Sequence, residues 1–388
     1  MKRSRFLIPA LLLISWYIFA VSGCSLGSDF IREGAASKPP AGKPDFTIFF
    51  VGDAGKVLEN EKEPALAALA NDLSRSPADS ALVIFLGDNI YDHGLPSEGE
   101  KGRAAAESYL VAQLEVLRST HSAVFIPGNH DWDGLSPKGA TLMKNQQTLI
   151  KEMSSGKATL LPENGCAGPL ALDVGDGLRL ILFDSQRWFR EQSGVSDSSG
   201  CAHAVHTNLF SEIRRLATSA GGRRIILVHH HPFITYGEHG GYFDWEKHIF
   251  PLKAFNKYLL LPLPFIGSLY PLARMNGITI QDLSSSVYRT FADSIREISR
   301  EIKPVFSISG HEHSLQVIKD PSGEMLQMVS GKGTRLTDGT VSTGEGTLFA
   351  SPFPGYIRFE MREGKHFSIT VVTSEEDSEP KEVFHLEL

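Results

Sequence analysis

Five short polar clusters each follow an apolar run: Gly52-Asp53-Ala54-Gly55, Gly87-Asp88-Asn89-Ile90-Tyr91, Gly128-Asn129-His130-Asp131, His229-His230-His231-Pro232 and Gly310-His311-Glu312-His313. Their carboxylates, amide oxygen and imidazoles are donors for hard or borderline metal ions. Taken singly, each has an ordinary structural role. Asp after Gly caps a helix or turn, Asn after Gly suits left-handed backbone, and a lone His is commonly a hydrogen-bonded core residue. As a set they point to one site holding two ions. A carboxylate has two oxygens, so Asp88 can bridge ions about 3.5–4 Å apart, the separation that two-metal hydrolases use. In an extended segment His311 and His313, at i and i+2, face the same side.

Such groups need rigid supports, and the preceding runs supply them. "FTIFFVGD", "ALVIFLGD", "SAVFIPGNHD", "LRLILFDSQ", "RRIILVHHHP", "PVFSISGHEH" and "EMLQMVSGKG" read as strands. "PALAALANDLSR", "AAAESYLVAQLEVLR" and "TNLFSEIRRLATS" read as helices between them. This alternation predicts a layered α/β fold with its ligand site at the carboxyl ends of strands. After Phe353 the alternating "YIRFEMR", "HFSITVVT" and "VFHLEL" predict antiparallel strands that complete a sandwich. Residues 241–285 break the rhythm. Within them "YLLLPLPFIGSLYPLA" carries no charge, and its three prolines forbid a regular spanning helix. The leading expectation is a loop or short helices packed on the core; a lid over the site or a surface dipping into a membrane are the alternatives.

With 388 residues, 41% of them hydrophobic, the chain can bury a large core. The net charge is −7, and it is −10 without the first 23 residues, which hold Lys2, Arg3 and Arg5 and no acid. That balance argues against gripping nucleic-acid backbone over a wide surface. "MKRSRFLIPALLLISWYIFAVSGC" has the basic start, apolar stretch and small residues of a secretory signal. Its "VSGC" resembles a bacterial lipobox, which predicts a signal peptide over 1–23 and a lipid on Cys24. The alternative is an uncleaved membrane anchor, since Phe6 to Gly23 carries no charge. On either account the remainder lies outside the cytoplasm, as a membrane-anchored lipoprotein facing the periplasm or the cell surface in the first. Residues 24–44, rich in Gly, Ser, Pro and Ala, read as a flexible tether, and 45–388 as one catalytic domain with an insert at about 241–285. Cys166 and Cys201 form an even remainder in a compartment where disulfides persist, so a bond between them is expected over free thiols.

The ordered set GDAG, GDNIY, GNHD, HHP and GHEH resembles the calcineurin-like metallophosphoesterase superfamily, and Tyr91 makes it similar to the purple acid phosphatase branch. Many other branches carry Asp-x-His in the first motif, whereas Gly55 stands here. "HHPFITYGEHG", and "GHEHSLQ" followed by "VSGKG", resemble the small, tartrate-resistant members. The resemblance covers about residues 46–240 and 304–335. It implies a metallophosphoesterase-type layered β-sandwich flanked by helices, within the α/β class. It also implies that Asp53, Asp88, Tyr91 and His313 hold one metal, and Asp88, Asn129, His230 and His311 the other. Of the three consecutive histidines, the family pattern favours the one two residues before Pro232. Phenolate ligation needs a strongly acidic ion, because free Tyr has a pKa of about 10. Fe(III) fits that demand, with Zn, Fe(II) or Mn as its implied partner.

The implied reaction is hydrolysis of small phosphomonoesters by metal-activated hydroxide, in the manner of an acid phosphatase. His130 is implied to stabilise the transition state or protonate the leaving group. Glu238 and His239 match a segment at the family's site mouth, with general acid catalysis as their expected role. The 81 residues from His230 to His311 exceed the family's small members because of the insert, so substrate choice does not carry over. Phosphodiesterase or nucleotide pyrophosphohydrolase activity on the same ions, and a non-catalytic surface lipoprotein, are the competing expectations. A monomer is expected.

Overall fold

A computed structural model describes residues 25–388 except 59–60, 118–120, 196–204, 255–257, 264–265, 323–324 and 376–378. The signal peptide expected over 1–23, Cys24 and Cys201 therefore lie outside the described residues; Cys166 is disulfide-bonded.

The apolar runs before the polar clusters form the centres of two facing sheets. In the first, β2 (Phe46–Val51), β3 (Ala81–Phe85), β4 (Ser122–Phe125) and β5 (Ala158–Leu160) run parallel, with Ile48 opposite Leu82 and Leu82 opposite Ser122. Antiparallel β13 (Gly355–Arg362), β14 (His366–Thr373) and β15 (Lys381–Glu387) extend it beyond β2, as the alternation after Phe353 predicts. The second sheet has the order β1-β12-β10-β11-β9-β8-β7-β6. Its parallel centre is β7 (Leu178–Leu182), β8 (Arg224–Val228), β9 (Phe306–Ser309) and β11 (Leu326–Ser330). β1 (Phe30–Ile31), β6 (Leu170–Val174), β10 (Leu315–Lys319) and β12 (Thr347–Ser351) complete it.

These strands read as unbroken apolar runs because both of their faces are covered. Ile48, Phe50, Leu82, Ile84 and Val124 meet Leu180, Ile226, Val228 and Ile308 between the sheets. Phe49, Val51, Val83 and Phe85 face outward onto α1 (Pro64–Leu73), α2 (Arg103–Glu115) and α3 (Gly139–Met153). Ile181, Ile225 and Leu227 face α4 (Ser185–Gln192), α5 (Val205–Thr218) and the long final helix, α8 (Ser286–Ile302). Helix α8 shows the expected amphipathic spacing. Tyr288, Phe291, Ala292, Ile295, Ile298 and Ser299 are buried on one side, and Ser285 accepts a capping bond from the Tyr288 amide at 3.2 Å.

Two expectations are corrected. Residues 26–37, read as part of a tether, are strapped across the sandwich. Leu26 N donates to Val341 O at 2.7 Å, β1 pairs with β12, and Ser37 N donates to His385 O at 2.8 Å. Unpaired edge groups of β12 and β15 recruit this backbone whatever its side chains, so composition did not reveal it. The insert does hold short helices, α6 (Trp245–Ile249) and α7 (Leu269–Met275). It is not merely packed on the core, however: it leaves large apolar side chains exposed and reaches the site.

Candidate metal centre

All five polar clusters lie at carboxyl ends of parallel strands: those of β2, β3 and β4 in one sheet and of β8 and β9 in the other. The site therefore straddles the seam between the sheets. Asp53, Asp88 and His311 all have left-handed backbone, with φ of 57°, 52° and 69°. Such values are costly for non-glycine residues and recur where a side chain must be aimed. His311 and His313 do reach one site, but not from an extended strand. Glu312 N donates to Gly310 O at 2.8 Å and Ser314 N to Glu312 O at 2.6 Å, so the segment is tightly bent. Two glycines mark backbone crowding. A Cβ on Gly128 would lie 2.2 Å from Asp88 Oδ1, and one on Gly55 would lie 2.3 Å from the Asn89 carbonyl carbon. Position 55 thus has no room for a histidine, because the backbone carrying Tyr91 fills that space.

The donors converge in two groups. The Tyr91 hydroxyl lies 2.9 Å from Asp53 Oδ1, 3.1 Å from Asp88 Oδ2 and 3.0 Å from His313 Nε2. Asn129 Oδ1 lies 3.0 Å from His230 Nε2 and 2.9 Å from His311 Nδ1, while His230 Nε2 is 3.5 Å from Asp88 Oδ1. Asp88 thus offers one oxygen to each group. Counting only carboxylates and imidazoles, Asp53, Asp88 and His230, and also His230, His231 and His311, have ligand atoms close enough for an ion. The triple histidine divides cleanly. His230 Nδ1 donates to Leu86 O at 2.7 Å, which directs its Nε2 lone pair into the site. His231 has both ring nitrogens engaged, by Ser185 Oγ and Gln281 Oε1, each at 2.7 Å. His229 points away, bonded to Ser307 Oγ at 2.7 Å and stacked on Phe183.

Electrostatics fit a missing positive charge. Burial, and then the charge of Asp88, push the Asp53 carboxyl well above its usual range. Burial and both carboxylates push the Tyr91 phenol up as well, so only a strong cation would ionise it. Burial would also raise Asp88, but the charges of His230 and then His130 hold it well below normal. His230 in turn is raised to about 9 by Asp88 against the burial that opposes it. His311 is kept neutral by burial, and His313 is lowered to about 4 for the same reason, which leaves ligand lone pairs available. Oxygen and nitrogen donors, a shared carboxylate and this charge deficit suit two metal ions.

Supporting residues lie behind these donors. Asp131 accepts from Gly128 N at 2.8 Å, Asn89 N at 3.0 Å and Ile90 N at 3.1 Å, pinning the second cluster to the third. Glu312 lies between two histidine donors yet faces the other way. Its buried carboxyl, raised to about 8 by burial and then by Glu238, accepts the amides of Glu238 and His239 at 2.9 and 3.1 Å. Gln281, from the insert, carries no local signal at all.

At the mouth, His130 donates from Nδ1 to Asp92 O at 2.8 Å and lies against the Tyr91 ring with centroids 4.4 Å apart. His239 lies against His311 with centroids 4.0 Å apart, and its Nδ1 is 3.0 Å from Gln281 O and 3.1 Å from the guanidinium of Arg274 in α7. Glu238 is drawn aside into an ion pair with Lys247 of α6.

Residues 46–261 match the family model for the calcineurin-like phosphoesterases. Similar solved structures include GAP50, the anchor in the inner membrane complex of Plasmodium, at 14% identity with 89% of each chain covered and a TM-score of 0.53. The purple acid phosphatase PPD1 from seeds of yellow lupin (Lupinus luteus) is 14% identical over 91% of this chain but only 55% of its own, with a TM-score of 0.51. PhoD is 10% identical, covering 91% of this chain and 73% of its own, also at 0.51. At these identities the likeness is one of fold. No curated protein sequence matches the chain.

Proposed function

Since the chain belongs to the calcineurin-like phosphoesterase family, we propose that it is a binuclear-metal phosphatase of the purple acid phosphatase type, acting on phosphomonoesters outside the cytoplasm. One observation carries the reading: seven donors from both sheets converge with Asp88 shared between the two groups. Asp53, Asp88, Tyr91 and His313 hold one ion, Fe(III) by the phenolate argument. Asp88, Asn129, His230 and His311 hold the other, which is Zn, Fe(II) or Mn. When bound, the ions supply Lewis acidity, which acidifies water and neutralises charge on phosphoryl oxygens. The chain's own residues orient and exchange protons around them.

Leu86 O and Asp338 O, accepting hydrogen bonds from His230 Nδ1 at 2.7 Å and His313 Nδ1 at 2.5 Å, hold both rings with their other nitrogen toward the site. His130, anchored through Nδ1 on Asp92 O, keeps Nε2 for the departing alkoxide. His239, lying over His311, offers a second imidazole at the mouth. Glu238 is bound to Lys247 and so orders the rim, and His239 is kept neutral by burial and then by the charge of Arg274, which leaves proton donation to His130. Membrane attachment through a lipid on Cys24 completes the proposal and rests on the sequence pattern alone.

A second reading, a non-catalytic protein that anchors a partner, draws on the likeness to GAP50. The complete donor set weighs against it. The deciding experiment combines metal analysis with turnover of p-nitrophenyl phosphate and its bis-ester between pH 5 and 8. Two metals per chain and preference for the monoester are expected. Preference for the bis-ester would replace monoesterase with diesterase, and protein that takes up no metal would leave the anchor reading.

A further inference from the structure

The insert exposes apolar side chains on an unusual scale. Leu260, Ile266, Leu269, Tyr270 and Ile278 are 59, 62, 64, 56 and 68% exposed, and most lie in the uncharged stretch 258–273. Single exposed leucines are common, but a concentration of this kind marks an interaction surface. Charge does not dominate it: Lys247 pairs with Glu238, Lys253 with Glu246, and Arg274 with Asp282. Among the described residues no helix is long and apolar enough to cross a membrane. The surface can therefore lie on a bilayer without spanning it.

Its occupant is indicated by where the preceding chain ends. Leu26 N bonds to Val341 O, and Val341 bridges Gly237, the residue before the Glu238-His239 turn. Thr340 Oγ1 donates to Tyr242 O at 2.9 Å, Tyr242 precedes Phe243, and Phe243 packs on Tyr270 of α7 with centroids 6.5 Å apart. The amino-terminal strap thus meets the sandwich beside the insert. Two further residues, about 7 Å of chain at most, lead back to Cys24. Before it stands Phe6–Gly23, an uncharged stretch of bilayer length. The inference rests on the membrane attachment proposed above: with that stretch as a retained anchor, or with a lipid on Cys24 in its place, the bilayer would begin next to this surface.

We propose that the exposed apolar face of the insert docks on the lipid bilayer, so that the mouth of the site, where Arg274 and Gln281 of the insert touch His239 and His231, opens toward the membrane. The proposal is independent of the chemistry at the site. Because Lys247 and Lys253 are paired, apolar contact drives docking, and zwitterionic lipid suffices.

The test uses the chain from Ser25 onward, which retains both sheets and all the described helices, with its folding checked against the full chain by thermal transition. It is floated with phosphatidylcholine vesicles, alongside a variant carrying Leu260→Asp and Leu269→Asp. Expected is co-flotation of the parent, at least ten-fold weaker in the variant, with unchanged turnover of a soluble monoester by both. Failure of the parent to float, or equal flotation of the variant, overturns the proposal. So does a parent that dimerises in solution while the variant is monomeric, which would assign the face to a second copy.

Discussion

At the scale of single residues, Tyr91 has the most to explain. One phenolic proton faces Asp53, Asp88 and His313, all at 3.1 Å or less, so it cannot satisfy all three. A cation at that point resolves the conflict. With Fe(III) bound, Tyr91→Phe is expected to remove a broad visible absorption band and lower turnover about 10–100-fold; absorbance and metal content of the two proteins check this. Asp184 supplies a test away from the metals. Its buried carboxyl accepts from Trp132 Nε1 at 2.8 Å and Arg187 N at 2.9 Å, and burial raises its pKa to about 6. The folded state then holds a proton that the unfolded chain has released. The contribution is fully present below about pH 4 and is lost as pH rises through 6, up to about 3 kcal/mol. Urea titrations at pH 4 and 7 should show Asp184→Asn gaining stability relative to the parent at the higher pH.

At the scale of elements, the site is a property of strand ends. Four of the five clusters put Gly and a donor after an apolar run, and the fourth puts three histidines there, so the places where donors gather were legible as strand ends, while the choice of seven among them came from the family resemblance. Backbone partners were not legible: Leu86 O and Asp338 O depend on where chain segments meet, not on their side chains. Gln281 escaped because only the fold brings it to His231, 50 residues away in sequence. The strap over 26–37 escaped because a sheet edge recruits backbone, and its Gly- and Pro-rich composition gave the opposite signal. His229, His230 and His231 show the value of combining the two views: the family pattern favours His230, and of the three rings it is the one whose Nε2 the backbone turns toward Asn129 and Asp88. The close approach of β4's end to β3's end gives a direct test. Gly128→Ala, whose Cβ would collide with Asp88, should lose bound metal and activity while costing about 1–3 kcal/mol of stability. Metal stoichiometry and thermal unfolding separate the two effects.

For the whole molecule, the donors come from two sheets that otherwise meet through apolar contacts such as those of Ile48, Ile84, Ile226 and Ile308. Ions held between them would act as a cross-brace present only in the folded state. Chelation is therefore expected to lower Tm, and readdition of metal to raise it again, by about 2.7 kcal/mol of linkage at a hundred-fold excess over Kd. Scanning calorimetry with and without chelator measures this. The strand order has a further consequence for how the protein comes into being. β2 lies between β3 and β13, with Ile48 opposite both Leu82 and Phe359. A chain emerging from its amino end must keep that central edge open until its last strands arrive, and the histidines at 311 and 313 are themselves late. Neither the first sheet nor its metal site can be finished early: assembly waits for almost the whole polypeptide, and any compartment in which it matures must shelter an open sheet edge until then.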